Sequence, residues 1–374
     1  MDIGQRVRQA REALGYTQQE LAGAVHLIRD AILSIERGER KVKADELWRI
    51  ARELERPIVF FLQDSPAPEL ATAARRGTSA TREAKRAELW LRRHFDDYQQ
   101  LLHILRRDGH PSVSLDWAEQ GMIVDQARSA AEVQRSHHNL GDRPVPDLRE
   151  HLEDDVGVAV FGQRVDDADF CGILLLAPEG RAAVMLVNEK LLTSRRNFTM
   201  AHEYGHLLWK LKRQEATDDV FYRNPAENEE EMFANAFAAS FLAPDGAVRA
   251  KAREIGRQIA SADGVMDLAC EFGLSFLAAT YRLQNLGLLR AEEAESLRDT
   301  VRPTALPSFR WERQAFSAMS PLYWDLVLQA YTADELEAAR CGEMVDMSAL
   351  EFDELIDEIG EEVVSERALL EAAG

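Results

Sequence analysis

Cysteine is scarce: Cys171, Cys270 and Cys341 are the only three in 374 residues, and none forms a C-x-x-C pair. That scarcity excludes a disulfide-stapled scaffold and a thiolate-rich metal module, and it fits a reducing compartment. Long hydrophobic runs are missing too. No stretch of eighteen apolar residues occurs and the chain opens on Asp2 with an amphipathic pattern, so the expectation is no signal peptide, no membrane partner and a cytoplasmic location. Positive charge is the third deficit. Lys and Arg total 45 against 65 Asp and Glu, and a net charge of −20 excludes an all-over attraction to polyanions. The deficit is graded along the chain. Residues 1–65 carry eleven basic and eleven acidic side chains, residues 66–107 carry nine and five, and from Glu343 onward eleven acidic residues face Arg367 alone. Any contact with nucleic acid therefore falls to the front.

What the chain does have is material for more than one core: 374 residues at 46% hydrophobic content predict two or three domains. Its most informative stretch is His202-Glu203-Tyr204-Gly205-His206, followed by Leu207, Leu208 and Trp209, which reads as a buried helix. Positions four apart share a helix face, so both imidazoles can turn toward one zinc ion, with the intervening carboxylate beside the ion's open position. There Glu203 would take a proton from water and hand it to a leaving amine. With nine His in the chain, an H-E-x-x-H arises by chance about once in a hundred chains of this size. The competing reading, two core histidines on an ordinary helix, is correspondingly weak.

A catalytic zinc needs a third protein ligand. The segment from Glu231 to Pro244 supplies an apolar helical face through Phe233, Ala234, Phe237, Ala238 and Phe241, and a carboxylate at its start can turn inward. From the residues alone Glu227, Glu229, Glu230 and Glu231 all compete, and a solvated acidic cap is the plain alternative for each. Upstream, three β-like runs (158–161, 173–176 and 183–187) lead toward the metal helix, and helical spacing marks residues 88–107 and 114–137. A mainly α fold with a small β-sheet, of the α+β class, follows.

At the front, Thr17 with Glu20 three residues later predicts a capping box that opens a helix. A second short helix, about Arg29 to Arg37, stops at Gly38. Leu21, Val25, Ile32 and Ile35 are the apolar positions that lock the two together. Residues 3–63, through Thr17-Gln18-Gln19-Glu20-Leu21-Ala22, Ile35-Glu36-Arg37-Gly38-Glu39-Arg40 and Leu47 to Ala51, resemble the lambda-repressor-like (XRE) helix-turn-helix family. The resemblance implies that Arg29, Asp30, Leu33 and Ser34 face base edges in the major groove. It places Gln18 and Gln19 on a phosphate or a base and Lys41 and Lys43 on backbone phosphates, with Arg37 completing the set. His26 stands where the turn usually has Gly, and Ile28 replaces the usual small polar cap.

Residues 140–244 resemble the ImmA/IrrE family of zinc metallopeptidases. The likeness rests on Pro144-Val145-Pro146-Asp147-Leu148, on Phe198-Thr199-Met200-Ala201 running into the histidine motif, and on an E-x-x-A-N-x-F-A-A pattern from Glu231. It implies a zincin-like domain with His202, His206 and Glu231 as zinc ligands and Glu203 as general base and then acid. For an oxyanion stabiliser, Tyr222 is preferred over Tyr204 because it lies outside the metal helix. The likeness continues through residues 268–289, where the family carries a helical module that itself looks like a helix-turn-helix.

The organisation expected is a DNA-binding domain at 1–65, a basic linker and helical region at 66–139, the metallopeptidase core at 140–250 and a helical module at 251–300. In an acidic helical tail at 301–374, Leu350, Leu355, Ile356, Ile359 and Val363 could line an amphipathic helix, and a solvated helix or partly disordered tail is the default reading. The resemblances imply a regulator that binds operator DNA as a homodimer and cuts a protein, a repressor or antitoxin-like factor. The alternative is a non-catalytic antitoxin whose zinc domain binds a toxin or senses a signal.

Overall fold

A computed structural model describes residues 3–62, 81–167, 169–213, 219–222, 229–300 and 318–358. The chain divides into two compact units, Met1–Asp96 with Val165–Phe170, and Asp97–Arg164 with Cys171–Gly374. It is mainly helical with one small sheet, as the periodicities predict. Among the described residues, no helix is long and apolar enough to cross a membrane.

The first unit holds α1 (Ile3–Ala13), α2 (Gln18–Ala24), α3 (Arg29–Glu36), α4 (Ala44–Glu53), α5 (Ile58–Leu62) and the start of α6 (Arg82–Ile104). The capping box forms as expected: the Glu20 amide donates to Thr17 Oγ1 at 3.2 Å, and the Thr17 amide donates to the Glu20 carboxylate at 2.7 Å. His26 takes the left-handed turn conformation at φ 55°, which an imidazole tolerates. Ile28 opens α3 with no side-chain cap. Leu21, Val25, Ile32 and Ile35 are buried together with Val7, Leu14 and Ile50. One polar pin crosses this core. The Glu36 carboxylate accepts from Arg11 Nε at 2.6 Å and from Gln18 Nε2 at 2.8 Å, tying α1, α2 and α3 together.

The basic stretch before residue 107 behaves differently from its composition. Residues 71–80 lie outside the described residues, but Arg82 pairs with Glu20 at 2.9 Å, and Arg86 pairs with Glu53 and Glu55 at 3.2 Å each. Part of its positive excess is thus matched by local carboxylates and is not held out for phosphate.

In the second unit come α7 (Ile123–His137), α8 (Leu148–Glu150) continuing into a π-helical segment (His151–Val156), β1 (Ala159–Gln163), β2 (Phe170–Leu176) and β3 (Ala183–Asn188). Then follow α9 (Thr193–Arg213), β4 (Asp219–Tyr222), α10 (Glu229–Leu242), α11 (Asp245–Ile255), α12 (Ala262–Phe272), α13 (Phe276–Asn285) and α14 (Ala291–Thr300). The helix expected from residue 114 starts only at Ile123, because Gly121 adopts φ 97° and Met122 is an extended N-cap. The sheet runs β1-β3-β2-β4, with β1 parallel and β2 antiparallel to β3. Every residue of β2 and β3 is buried, as a strand covered on both faces requires.

Two close approaches set the distance between layers. At Gly172 on β2, an added Cβ would stand 2.8 Å from Thr199 on α9 and 3.6 Å from the Glu203 carboxylate. At Gly205 in α9 it would stand 2.8 Å from the Cα of Ala234 in α10. Around that crossing Tyr204 meets Phe237 and Phe241 edge-on, at 5.3 and 5.5 Å between centroids. Each such buried aromatic contributes about 1.5–3 kcal/mol of apolar burial. Arg135 of α7 holds the far end of α10 by donating to the carbonyl of Phe241 and to that of Gly141.

Beyond residue 300 the described residues are helical, as expected, but packed where a solvated helix was the default. α15 (Pro321–Thr332), α16 (Ala338–Met344) and a helix over residues 349–358 are folded. The Gly162 amide of edge strand β1 donates to the Ala318 carbonyl at 2.8 Å, Arg149 donates to the carbonyls of Val160 at 2.7 Å and Met319 at 2.8 Å, and Tyr323 packs on Phe161. In the last helix the anchor is Phe352, fully buried beside Tyr331 and Trp324, while Leu350 is 67% exposed. Ile359 and Val363 lie outside the described residues.

The Gly205 contact yields a test. Alanine should gain about 1 kcal/mol of helix propensity over glycine, but inserting a methyl against packed backbone costs about 1–3 kcal/mol. Gly205→Ala is therefore expected to lower the denaturant midpoint; a midpoint at or above that of the wild type would show that α10 yields freely there.

Candidate metal centre

α9 brings His202 and His206 to one face, and the pitch of the helix stacks the rings edge-to-face with centroids 4.6 Å apart. Their Nε2 atoms face each other at 3.0 Å. Glu231, in the first turn of α10, sends one carboxylate oxygen to within 3.4 Å of His202 Nε2 and the other to within 3.4 Å of His206 Nε2. Among the described residues this is the one cluster of three or more His, Cys, Asp or Glu able to share a cation. The histidines are buried, and the Glu231 side chain is 16% exposed, so the site meets solvent on the carboxylate side.

The donor set fits zinc on two counts. Zn–N distances of about 2.0–2.1 Å in a tetrahedral site imply donor–donor edges of about 3.4 Å. The two Nε2 atoms lie 3.0 Å apart, each has its own Glu231 oxygen at 3.4 Å, and one donor atom from each residue lies within 4.8 Å of the others. Charge agrees. Among the described residues, the buried carboxylate of Glu203 and the half-buried ones of Glu230 and Glu231 gather about the two imidazoles, with the Lys210 ammonium beside Glu230, and this acidic surrounding favours a cation.

Protonation of the three donor residues follows the same electrostatics. Burial drives His202 down to about 4, working against its hydrogen bond to Glu231. Burial would lower His206 too, but hydrogen bonds to Glu230 and Glu231 outweigh it and hold that imidazole up to about 10. Glu231 is held at about 2: burial opposes ionisation, and its bonds to both histidines overcome it. A proton on one imidazole thus does part of what a cation would do.

Glu203 is 1% exposed and lies over Gly172 of β2. Tyr204, the other tyrosine considered, is turned away: it is fully buried, and its hydroxyl donates to Gln134 Oε1 at 3.1 Å. Tyr222 falls in β4, and its side chain lies outside the described residues, as does Glu227. Of the remaining acidic competitors, Glu229 is exposed, and Glu230 engages the opposite edge of His206, accepting from Nδ1 at 2.8 Å. Sequence reasoning treated Glu230 as a rival ligand only and did not mark Lys210. The spacing held a signal, since Lys210 stands four residues after His206 on α9.

In the first unit, Arg29, Asp30, Gln19, Arg37, Lys41 and Lys43 are exposed, and Leu33 and Ser34 are half-buried on α3. Gln18 is different: its amide nitrogen is committed to Glu36.

Comparison with known proteins agrees with this division. The helix-turn-helix family profile matches residues 7–61, and that of the IrrE N-terminal-like domain, of the M78 peptidases, matches residues 156–284. An uncharacterized transcriptional regulator in the ATPase CF(0) region of Rhodospirillum rubrum is 40% identical over 62 residues, 17% of this chain and 57% of that protein. An uncharacterized HTH-type transcriptional regulator of Sinorhizobium medicae is 33% identical over 64 residues, 17% of this chain and 46% of its own. The chain thus spans about half the length of these curated relatives. The crystal structure of Bacillus thuringiensis PlcR in complex with the peptide PapR7 and DNA aligns over 99% of this chain and 98% of that one, at 13% identity and a TM-score of 0.17, too low to carry a structural correspondence. The motifs, the donor triangle and the two profile matches converge: this chain joins an N-terminal helix-turn-helix domain to an IrrE N-terminal-like domain of the M78 peptidase type.

Proposed function

We propose that this chain is a cytoplasmic DNA-binding transcription regulator whose M78-type domain is a zinc-dependent endopeptidase acting on a repressor or antitoxin-like protein. The observation that carries the reading is the triangle of His202, His206 and Glu231, with Glu203 buried one residue from the first ligand. When bound, zinc supplies a Lewis acid that polarises a peptide carbonyl and acidifies water. His202, His206 and Glu231 would hold the ion, the two histidines buried and the glutamate on the side open to solvent. Glu203 takes the proton released as water attacks the carbonyl carbon, then delivers it to the amine nitrogen as the C–N bond breaks. Tyr222 is the residue proposed to steady the developing oxyanion.

The helix-turn-helix supports DNA recognition through α3, with Arg29, Asp30, Leu33 and Ser34 toward base edges and Gln19, Arg37, Lys41 and Lys43 toward base or phosphate. Gln18 belongs to the same proposed surface, although its bond to Glu36 leaves only part of its amide for DNA. Such domains read paired half-sites, which makes a homodimer on an operator the proposed assembly.

Glu203→Gln should retain stoichiometric zinc by metal analysis while cutting of the protein substrate falls by at least about 100-fold. Cleavage at the wild-type rate in a zinc-loaded variant would exclude Glu203 as the general base and refute the mechanism. On an operator selected by the purified protein, Arg29→Ala should cost about 1–3 kcal/mol and relax the sequence preference. Lys41→Ala should weaken all sequences alike and reduce the salt slope of binding by about one. Anisotropy titrations over a salt series separate the two effects, and an Arg29→Ala protein with undiminished preference would remove that residue from the readout.

A further inference from the structure

Glu230 and Glu231 are consecutive on α10, and they meet the same imidazole from opposite edges. Glu231 addresses His206 Nε2 at 3.4 Å, and Glu230 Oε1 lies 2.8 Å from His206 Nδ1. Neighbouring helical residues point about 100° apart, so one turn of backbone brackets the ring. The same Glu230 oxygen is 3.3 Å from Nζ of Lys210, which stands one turn beyond His206 on α9 and is 1% exposed. With the ammonium buried and the carboxylate half-buried, this ion pair is partly shielded from solvent and fixes the Glu230 head group in place.

We propose that Glu230 and Lys210 are positioning residues for the metal site: Glu230 fixes His206 in the tautomer that carries its proton on Nδ1 and presents a bare Nε2, and Lys210 holds Glu230 in place as an ionised acceptor. This rests on the zinc-binding reading of His202, His206 and Glu231. A neutral imidazole has one protonated nitrogen, and the hydrogen bond at one edge decides which lone pair faces the other. An ionised carboxylate only accepts, so Glu230 selects the Nδ1–H form. The lysine acts at one remove. It touches neither ligand nitrogen in the contacts that define the triangle, and its effect on the metal passes through Glu230.

The test is a zinc titration of the full chain against a chromogenic chelator, with thermal melting of the metal-free protein alongside. Removal of such a ligand-orienting partner typically costs 10–100-fold in metal affinity, and Glu230→Gln is expected to lose that much while melting with the wild type. Lys210→Met should lose less. The double variant should bind no more weakly than Glu230→Gln alone, since the lysine acts through that carboxylate. Losses that multiply in the double variant would overturn the Lys210–Glu230 relay. If wild type and Glu230→Gln bind zinc equally, the proposal fails and the metal reading stands. If the wild type takes up no zinc, the metal reading fails and the proposal with it.

Discussion

The site exists because α9 and α10 cross without a side chain between their backbones. Gly205 sits inside the histidine motif, between His202 and His206, and the atom an added Cβ would meet is the Cα of Ala234. Any larger residue at either position pushes α10 outward, and Glu231 at the head of α10 moves with it. The aromatic ladder Phe233, Phe237 and Phe241 stacks along the same helix at 6.3 and 5.4 Å and converts that local approach into a fixed axis. Packing of this density does not deform smoothly, so ligand geometry is inherited from a methyl-sized gap.

Gathering three carboxylates, an ammonium and two imidazoles at one helix crossing is costly unless their charges are matched. Hydrogen bonds to Glu230 and Glu231 hold His206 up, while burial drives its neighbour 3.0 Å away down. On the sheet side, Gly172 leaves room for the Glu203 carboxylate over β2.

How much of this was legible in the chain follows from the range of the interactions. Thr17 with Glu20, the stop at Gly38 and the four-residue spacing of His202 and His206 are local, decided within a helical turn, and they stand in the structure where the residues put them. The three buried strands were legible as short apolar runs for the same reason. The failures are at longer range or hinge on one backbone angle. Gly121 at φ 97° cuts short a helix that apolar spacing alone would extend. The acidic composition toward the C-terminus suggested a solvated helix or partly disordered tail, yet a Ser320 cap, Pro321 at the first helical position and Tyr323 on Phe161 fold residues 318–332 against β1. Acidic side chains there ride on the outward faces, and composition does not distinguish that from disorder.

The same contrast governs the charged residues. A carboxylate in a sequence carries no label saying whether it will be solvated, paired or coordinated. Of the acidic run that opens α10, Glu229 is exposed, Glu230 is on an N–H and Glu231 is on two ring nitrogens, and these fates belong to consecutive positions. Helical phase accounts for them. Residues 100° apart on α10 sweep from solvent, past one edge of His206, to the other, so their roles are set by the angle at which α10 meets α9 and not by residue type. In the helix-turn-helix unit Gln18 shows the same dependence. Its type suits DNA as well as Gln19 does, but its phase on α2 turns it inward to Glu36, where Arg11 already waits. A glutamine bound in that way contributes first to the angle between α2 and α3, and so to how α3 is presented, before it contributes any contact of its own.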